Sequence, residues 1–139
     1  MKNNIAWDEF DSKMEQVFGR KFSQPDDLYY NVSREISFGE GLEMNDREAL
    51  KYLQDLCVMS GELYVITDFC YYTKSGPFIV QAEAMERFTD TFYETYGETF
   101  YATDIIIVSF AEKRIWVMFH EGKCWLSEKE NQAGNLPIK

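Results

Sequence analysis

The amino-acid sequence predicts an α+β fold, a single domain in which about three helices pack on one face of a largely antiparallel sheet. Three observations lead to this fold class. Apolar residues recur at helical spacing in three segments, near 6–18, 45–60 and 81–96. Strand-like segments separate these helices along the chain. At the C-terminal end, three strand-like segments follow one another through short turns, which is typical of an antiparallel β-meander.

The first two elements are a helix over about 6–18 and a modest strand over 29–38. In the first segment Trp7 and Phe10 lie on one apolar face, and Gly19 directly after it favours a helix end. In the second segment apolar and polar residues alternate, as they do in a half-buried strand.

The second helix has a clear beginning. Asn45 is a good N-cap residue, and Glu48 three residues later completes the pattern of a capping box. We expect this helix to end near 60–61, where a serine and a glycine follow one another. A strand is predicted next over 63–69, and its apolar pattern can extend to Tyr72.

The remaining elements are a short strand over 78–80, a helix over 81–96 that Gly97 ends, and the meander. The meander strands are predicted over 104–110, 115–120 and 124–126. The first of them is apolar on both faces, as expected of a central strand. One face of the second carries Trp116, Met118 and His120, and we expect that face to be only partly covered.

The length and composition agree with one globular unit. The chain has 139 residues, of which 45% are hydrophobic and 17% aromatic, so a packed core needs neither a disulfide nor a metal ion. We expect residues 1–127 to form this domain. Residues 128–139 are mostly polar and contain a glycine and a proline, which predicts a flexible C-terminal tail.

The charge of the chain restricts its partners. Its 24 acidic and 14 basic residues give a formal net charge of −10. Such a field repels nucleic-acid backbones and anionic lipid surfaces, so we expect neither as a partner. No apolar run resembles a signal peptide or a membrane span, and three widely spaced cysteines do not form a disulfide framework. These features predict a cytoplasmic location.

The helix over 81–96 carries a stripe of acidic residues. Glu83, Glu86, Asp90 and Glu94 recur at steps of three, four and four, opposite the apolar face, and of the basic residues only Arg87 borders them. Like charges at this spacing each cost about 0.2–0.5 kcal/mol, so helix stability does not favour the stripe. A solvated face of an acidic protein and a docking surface for a cationic partner both explain it.

Tyr93 lies between the two faces of this helix, where its ring is accessible for cation–π contact. Aromatic rings beside carboxylates suit lysine and arginine side chains, because the carboxylates supply charge and the ring accepts the cation. We therefore predict a partner-binding site that consists of Glu83, Glu86, Asp90, Glu94 and Tyr93.

One segment combines histidine, a carboxylate and a thiol, namely His120, Glu121 and Cys124. A thiol nucleophile needs a base within hydrogen-bond reach and a third group that orients the base. This segment is predicted to be an exposed turn without a pocket. A strand-end histidine and a half-buried cysteine are therefore the preferred interpretation, and an enzyme that uses His120 is the alternative.

Other chemistry has little support in the sequence. The cysteines lack the short spacing of a zinc site, and no glycine-rich phosphate loop is present. Asp68 and Asp104 suit acid–base chemistry if they meet, but carboxylates at strand ends more often cap or solvate the strands. We assign no catalytic residue, no metal site and no cofactor, and we expect a protein that is not an enzyme.

The stretch Asp104-Ile-Ile-Ile-Val-Ser-Phe, followed by Lys113-Arg-Ile-Trp-Val-Met-Phe-His-Glu-Gly-Lys-Cys-Trp125, resembles the strand–hairpin core of several bacterial toxin-immunity families. In size, acidity and aromatic content the whole chain is similar to immunity proteins of contact-dependent growth inhibition and related polymorphic toxin systems. The resemblance implies a protein that binds one cognate toxin domain, often a basic nuclease, and occludes its active site or substrate channel. These families share no functional motif, so no functional residue is carried over.

Three functions follow from these observations. The first is an inhibitor of a basic toxin domain, monomeric when free. The second is a phage-type anti-defence or adaptor protein that uses the same acidic surface on another target. The third is a small enzyme that depends on His120. A neighbouring toxin gene favours the first, a phage context the second, and loss of turnover in His120→Ala the third.

Overall fold

A six-stranded antiparallel sheet organises the structure, a computed structural model that describes residues 4–21, 32–38, 45–101, 104–119 and 122–128. The strands are β1 (Val32–Ser37), β2 (Glu62–Ile66), β3 (Phe78–Gln81), β4 (Ile105–Ser109), β5 (Arg114–Phe119) and β6 (Lys123–Glu128). The helices described are α1 (Trp7–Phe18), α2 (Asp46–Leu56), α3 (Asp68–Tyr72), α4 (Met85–Asp90) and α5 (Phe92–Tyr96). The α+β fold class is thus confirmed.

The strand order is β1-β6-β5-β4-β2-β3, and every neighbouring pair is antiparallel. The last three strands are sequential neighbours, as the meander pattern predicts. Trp116 of β5 lies opposite Ile107 of β4 and Leu126 of β6. The other side of β4 pairs with β2, where Val65 lies opposite Ile107. This position inside the sheet explains why β4 is apolar on both faces.

Helices cover both faces of the sheet, so the prediction that they pack on one face is wrong. On one face α2, α4 and α5 pack against alternate strand residues, including Trp116. On the opposite face α1 contributes Phe10, Met14 and Phe18, which pack against strand residues such as Val117. The physical reason is that the central strands are apolar on both faces, and each face needs a cover.

The expectation of a partly covered face on β5 is wrong as well. Trp116 and Met118 are both fully buried in the core that lies under α2. The indole Nε1 of Trp116 donates a hydrogen bond of 3.3 Å to the carbonyl oxygen of Cys57, which lies just beyond α2. His120, the third residue of the predicted face, lies outside the described residues.

The start of α2 is confirmed in detail, but its predicted end is too late. Asn45 accepts a hydrogen bond from the backbone N–H of Glu48, and the Glu48 side chain accepts one from the backbone N–H of Asn45. The helix ends at Leu56, because Cys57 has an extended backbone conformation. Arg34 of β1 donates a hydrogen bond of 3.1 Å to the Leu56 carbonyl oxygen, which satisfies one of the last helical acceptors.

The segment after β2 forms the short helix α3, so the predicted extension of the strand beyond Ile66 is wrong. Tertiary contacts hold α3 in place. Trp7 stacks on Tyr71 with ring centroids 5.2 Å apart, and its Nε1 donates a hydrogen bond of 3.3 Å to the carbonyl oxygen of Cys70. An indole from a distant element therefore stabilises this helix.

The predicted helix over 81–96 is divided. Gln81 ends β3, a 3₁₀ turn follows over Ala82–Ala84, and Thr91 separates α4 from α5. The Thr91 hydroxyl donates a hydrogen bond of 2.8 Å to the Arg87 carbonyl oxygen. Back-bonding of this kind often bends a helix. Gly97 ends α5 with a φ of 82°, so the predicted end is confirmed.

Of the predicted tail over 128–139, the structure describes only Glu128. Glu128 ends β6, and residues 129–139 of the predicted tail lie outside the described part of the chain. Over the described ranges, no helix is long and apolar enough to cross a membrane.

Candidate functional site

All five residues of the predicted partner-binding site are exposed. Glu83 lies in the 3₁₀ turn, Glu86 and Asp90 lie on α4, and Tyr93 and Glu94 lie on α5. Tyr93 exposes 61% of its surface. We call these five residues the acidic stripe. The break at Thr91 changes the local path of the helix but leaves every member of the stripe accessible to solvent.

Buried apolar residues hold the helices that carry the acidic stripe. Met85 and Phe92 are fully buried on the sheet-facing side. The Phe92 ring lies 4.8 Å from the Tyr96 ring and 5.7 Å from the Phe100 ring, measured between centroids. Because these contacts anchor α4 and α5 to the core, the carboxylates project from a supported surface.

An arginine that the sequence analysis did not include binds part of the acidic stripe. Nη1 of Arg47, on α2, lies 3.2 Å and 3.0 Å from the two carboxylate oxygens of Asp90. Nη2 of Arg47 lies 3.5 Å from a carboxylate oxygen of Glu86. The cation on the stripe is therefore Arg47 and not the neighbouring Arg87, which makes no ion pair within 4.0 Å among the described residues.

The remaining carboxylates of the stripe keep their charge uncompensated by direct contact. In the described part of the chain, neither Glu83 nor Glu94 has an ion-pair partner within 4.0 Å. The stripe thus combines four carboxylates with one guanidinium. Exposed ion pairs are worth about 0.2–1 kcal/mol, so Arg47 can be displaced by a cation from outside.

Asp46 joins the start of α2 to the loop that follows α5. Its two carboxylate oxygens accept hydrogen bonds from the backbone N–H groups of Phe100, at 2.8 Å, and Tyr101, at 3.0 Å. Between this loop, α2 and α4 lies an open cavity of about 370 Å³. Arg47 and Asp90 line it, so the cavity adjoins the acidic stripe.

The structure brings Asp68 and Asp104 to the same end of the sheet, which the sequence analysis left open. They follow and precede strands that are paired at Ile66 and Ile106. Burial raises the pKa of Tyr71, and the charges of Asp68 and Asp104 raise it further. Over the described ranges, no three histidine, cysteine, aspartate or glutamate side chains are placed to hold a metal ion.

The described cysteines differ in burial. Cys57 lies just beyond α2 and is half-buried. Cys124 is fully buried, whereas it was expected to be half-buried beside an exposed turn. Burial, with the charges of Asp55 and Glu35, raises the pKa of the Cys124 thiol to about 12. A thiol of this kind is a poor nucleophile at neutral pH.

His120 and Glu121, the other members of that sequence cluster, lie outside the described residues.

Comparisons of the chain with protein-family models, curated proteins and solved structures give no match.

Proposed function

We propose that this protein neutralises a basic toxin domain by binding it through the acidic stripe and covering its active site or substrate channel. The observation that carries the proposal is the placement of Glu83, Glu86, Asp90, Tyr93 and Glu94. All five are exposed on supported helices, and a guanidinium already binds two of the carboxylates. The partner is cytoplasmic at the moment of binding, and this protein is a monomer before it binds.

The chemistry of the stripe suits arginine and lysine side chains. Carboxylates accept bidentate hydrogen bonds from guanidinium groups, and within this chain Nη1 of Arg47 already contacts both carboxylate oxygens of Asp90. Tyr93 adds an exposed ring, which is a frequent anchor in protein interfaces. The net charge of −10 attracts a basic partner over distances greater than a contact.

The first prediction concerns the rate of association with the toxin domain. We expect association above the unsteered range of about 10⁵–10⁶ M⁻¹s⁻¹, and we expect added salt to slow it. The quadruple variant Glu83→Gln, Glu86→Gln, Asp90→Asn, Glu94→Gln should associate at least tenfold more slowly, because it loses the local attraction. Stopped-flow fluorescence at several salt concentrations measures both effects.

A matched variant separates the stripe from the total charge. Asp8→Asn, Glu9→Gln, Asp11→Asn, Glu15→Gln removes the same four charges from α1, which packs on the opposite face of the sheet. This variant should retain most of the association rate and protect cells from the toxin as well as the wild type does.

The proposal is wrong if the stripe variant remains folded by circular dichroism yet binds and protects like the wild type. The interface would then be sought on residues 26–62, which hold nine acidic and three basic residues.

A further inference from the structure

A groove runs between the edge strand β3 and the helices α4 and α5. Its volume is about 280 Å³, and more of its lining is apolar than polar. One wall is β3 itself, from Phe78 to Gln81. The opposite wall consists of the helix-side residues Ala84, Arg87, Phe88, Thr91 and Tyr96.

Arg87 lines this groove, although carboxylates surround it on its own helix. Glu83 and Asp90 lie four residues before it and three residues after it, at the spacing of helical ion pairs. Among the described residues, however, no carboxylate lies within 4.0 Å of the Arg87 guanidinium, and Arg87 lines the groove. Its guanidinium donors are therefore available to an acceptor that enters the groove.

The size of the groove limits its occupant. Pockets for drug-sized ligands are commonly about 300–1,000 Å³, so this groove accommodates roughly one large side chain. The half-buried rings of Phe88 and Tyr96 offer it an apolar surface. Arg87 supplies the charge complement for an anionic group beside that side chain, and a carboxylate is the acceptor that fits a guanidinium in bidentate geometry.

We propose that this groove binds a peptide segment of a partner protein in which a large apolar side chain adjoins a carboxylate. The apolar side chain lies against Phe88 and Tyr96, and the carboxylate pairs with Arg87. This site is separate from the acidic stripe and does not depend on the proposed function. The net charge of −10 opposes the approach of an anion, and added salt screens this repulsion as well as the contact with Arg87.

The test uses end-blocked peptides and the amide spectrum of the ¹⁵N-labelled full chain. The probe peptide is Gly-Ser-Phe-Glu-Gly-Ser, and two further peptides replace its Glu by Gln or its Phe by Ala. With the probe we expect saturable shifts of the Ala84 and Thr91 amide signals. Both altered peptides should bind at least about tenfold more weakly, because each loses either one charge-assisted contact or one buried ring.

Arg87→Gln should weaken the probe about tenfold and make the Glu and Gln peptides equivalent. Lys51→Gln is the matched control, because it removes the same charge from α2, where Lys51 pairs with Asp55 at 3.7 Å. The control should bind like the wild type. Two results would overturn the proposal: no shifts at these amides, or equal affinity of the Glu and Gln peptides for the wild-type protein.

Discussion

Arg47 occupies two of the four carboxylates that the proposed interface offers to a partner. Its side chain is 54% exposed, and those of Glu86 and Asp90 are 64% and 44% exposed, so water competes for the same groups. A surface ion pair of this kind is weak. We therefore expect a cationic side chain from a partner to replace Arg47 at small cost, and we expect Arg47 to lower the affinity of the stripe for that partner.

A single substitution tests this competition. Arg47→Ala should raise the affinity for a basic probe, such as an octa-arginine peptide, because it frees Glu86 and Asp90. Lys51→Ala removes an equal charge from the same helix but frees Asp55, which lies off the stripe. We expect the affinity of Arg47→Ala for the probe to exceed that of Lys51→Ala by about two- to fivefold, which corresponds to the strength of a surface ion pair. Equal affinities, measured by titration calorimetry, would show that only total charge matters.

At the scale of the elements, Asp46 is the link between α2 and the segment after α5. Its carboxylate satisfies the backbone N–H groups of Phe100 and Tyr101, and Phe100 is almost fully buried. Arg47, the next residue, pairs with α4. Two adjacent residues at the start of one helix thus contact α4, which precedes α5, and the segment that follows α5.

Removal of the Asp46 carboxylate should loosen this link. Asp46→Ala leaves two backbone donors without their partner, and we expect the free energy of unfolding to fall by about 1–3 kcal/mol. Amide hydrogen exchange at Phe100 and Tyr101 should accelerate about tenfold or more. Asp46→Asn keeps one acceptor oxygen and should show a smaller effect. Unchanged exchange at both amides in Asp46→Ala would contradict this role.

At the scale of the whole molecule, tyrosines with raised pKa values connect stability to alkaline pH. Burial raises the pKa values of Tyr71, Tyr96 and Tyr101. Burial and a hydrogen bond of 2.7 Å to Glu62 raise that of Tyr64 from 10.0 to about 12. Each of these hydroxyls ionises more easily in the unfolded chain than in the folded protein. The contribution of these hydroxyls to the free energy of unfolding is therefore fully present below pH 10. It is lost as the pH rises toward the pKa values of the folded protein.

Tyr64→Phe tests this dependence. The wild type should lose stability between pH 10 and 12 because Tyr64 resists ionisation in the folded state. The variant lacks this hydroxyl, so its urea midpoint should decline less steeply over the same range. Tyr93→Phe is the control, since it alters an exposed ring. Identical declines in the wild type and in Tyr64→Phe would refute the assignment.

Local patterns predicted the elements whose causes are local. The capping box of Asn45 and Glu48 determines where α2 begins, and Gly19 and Gly97 each adopt the left-handed conformation that ends a helix. The meander followed from three apolar segments joined by short turns, since such turns leave sequential strands as neighbours. The exposure of the acidic stripe followed from helical spacing, because residues opposite a buried apolar face point to solvent.

Contacts between distant segments decided the rest. The sequence by itself determined the fold class, the helix ends set by caps and the exposure of the carboxylates. Each of these depends on residues within one segment, as the periods of 2 and 3.6 residues do. Only the tertiary structure decided that α1 covers the second face of the sheet and that Arg47 binds Asp90, 43 residues away. It also decided that Arg87 lines a groove instead of pairing on its own helix. Such contacts depend on strand order and helix packing, which no single segment encodes.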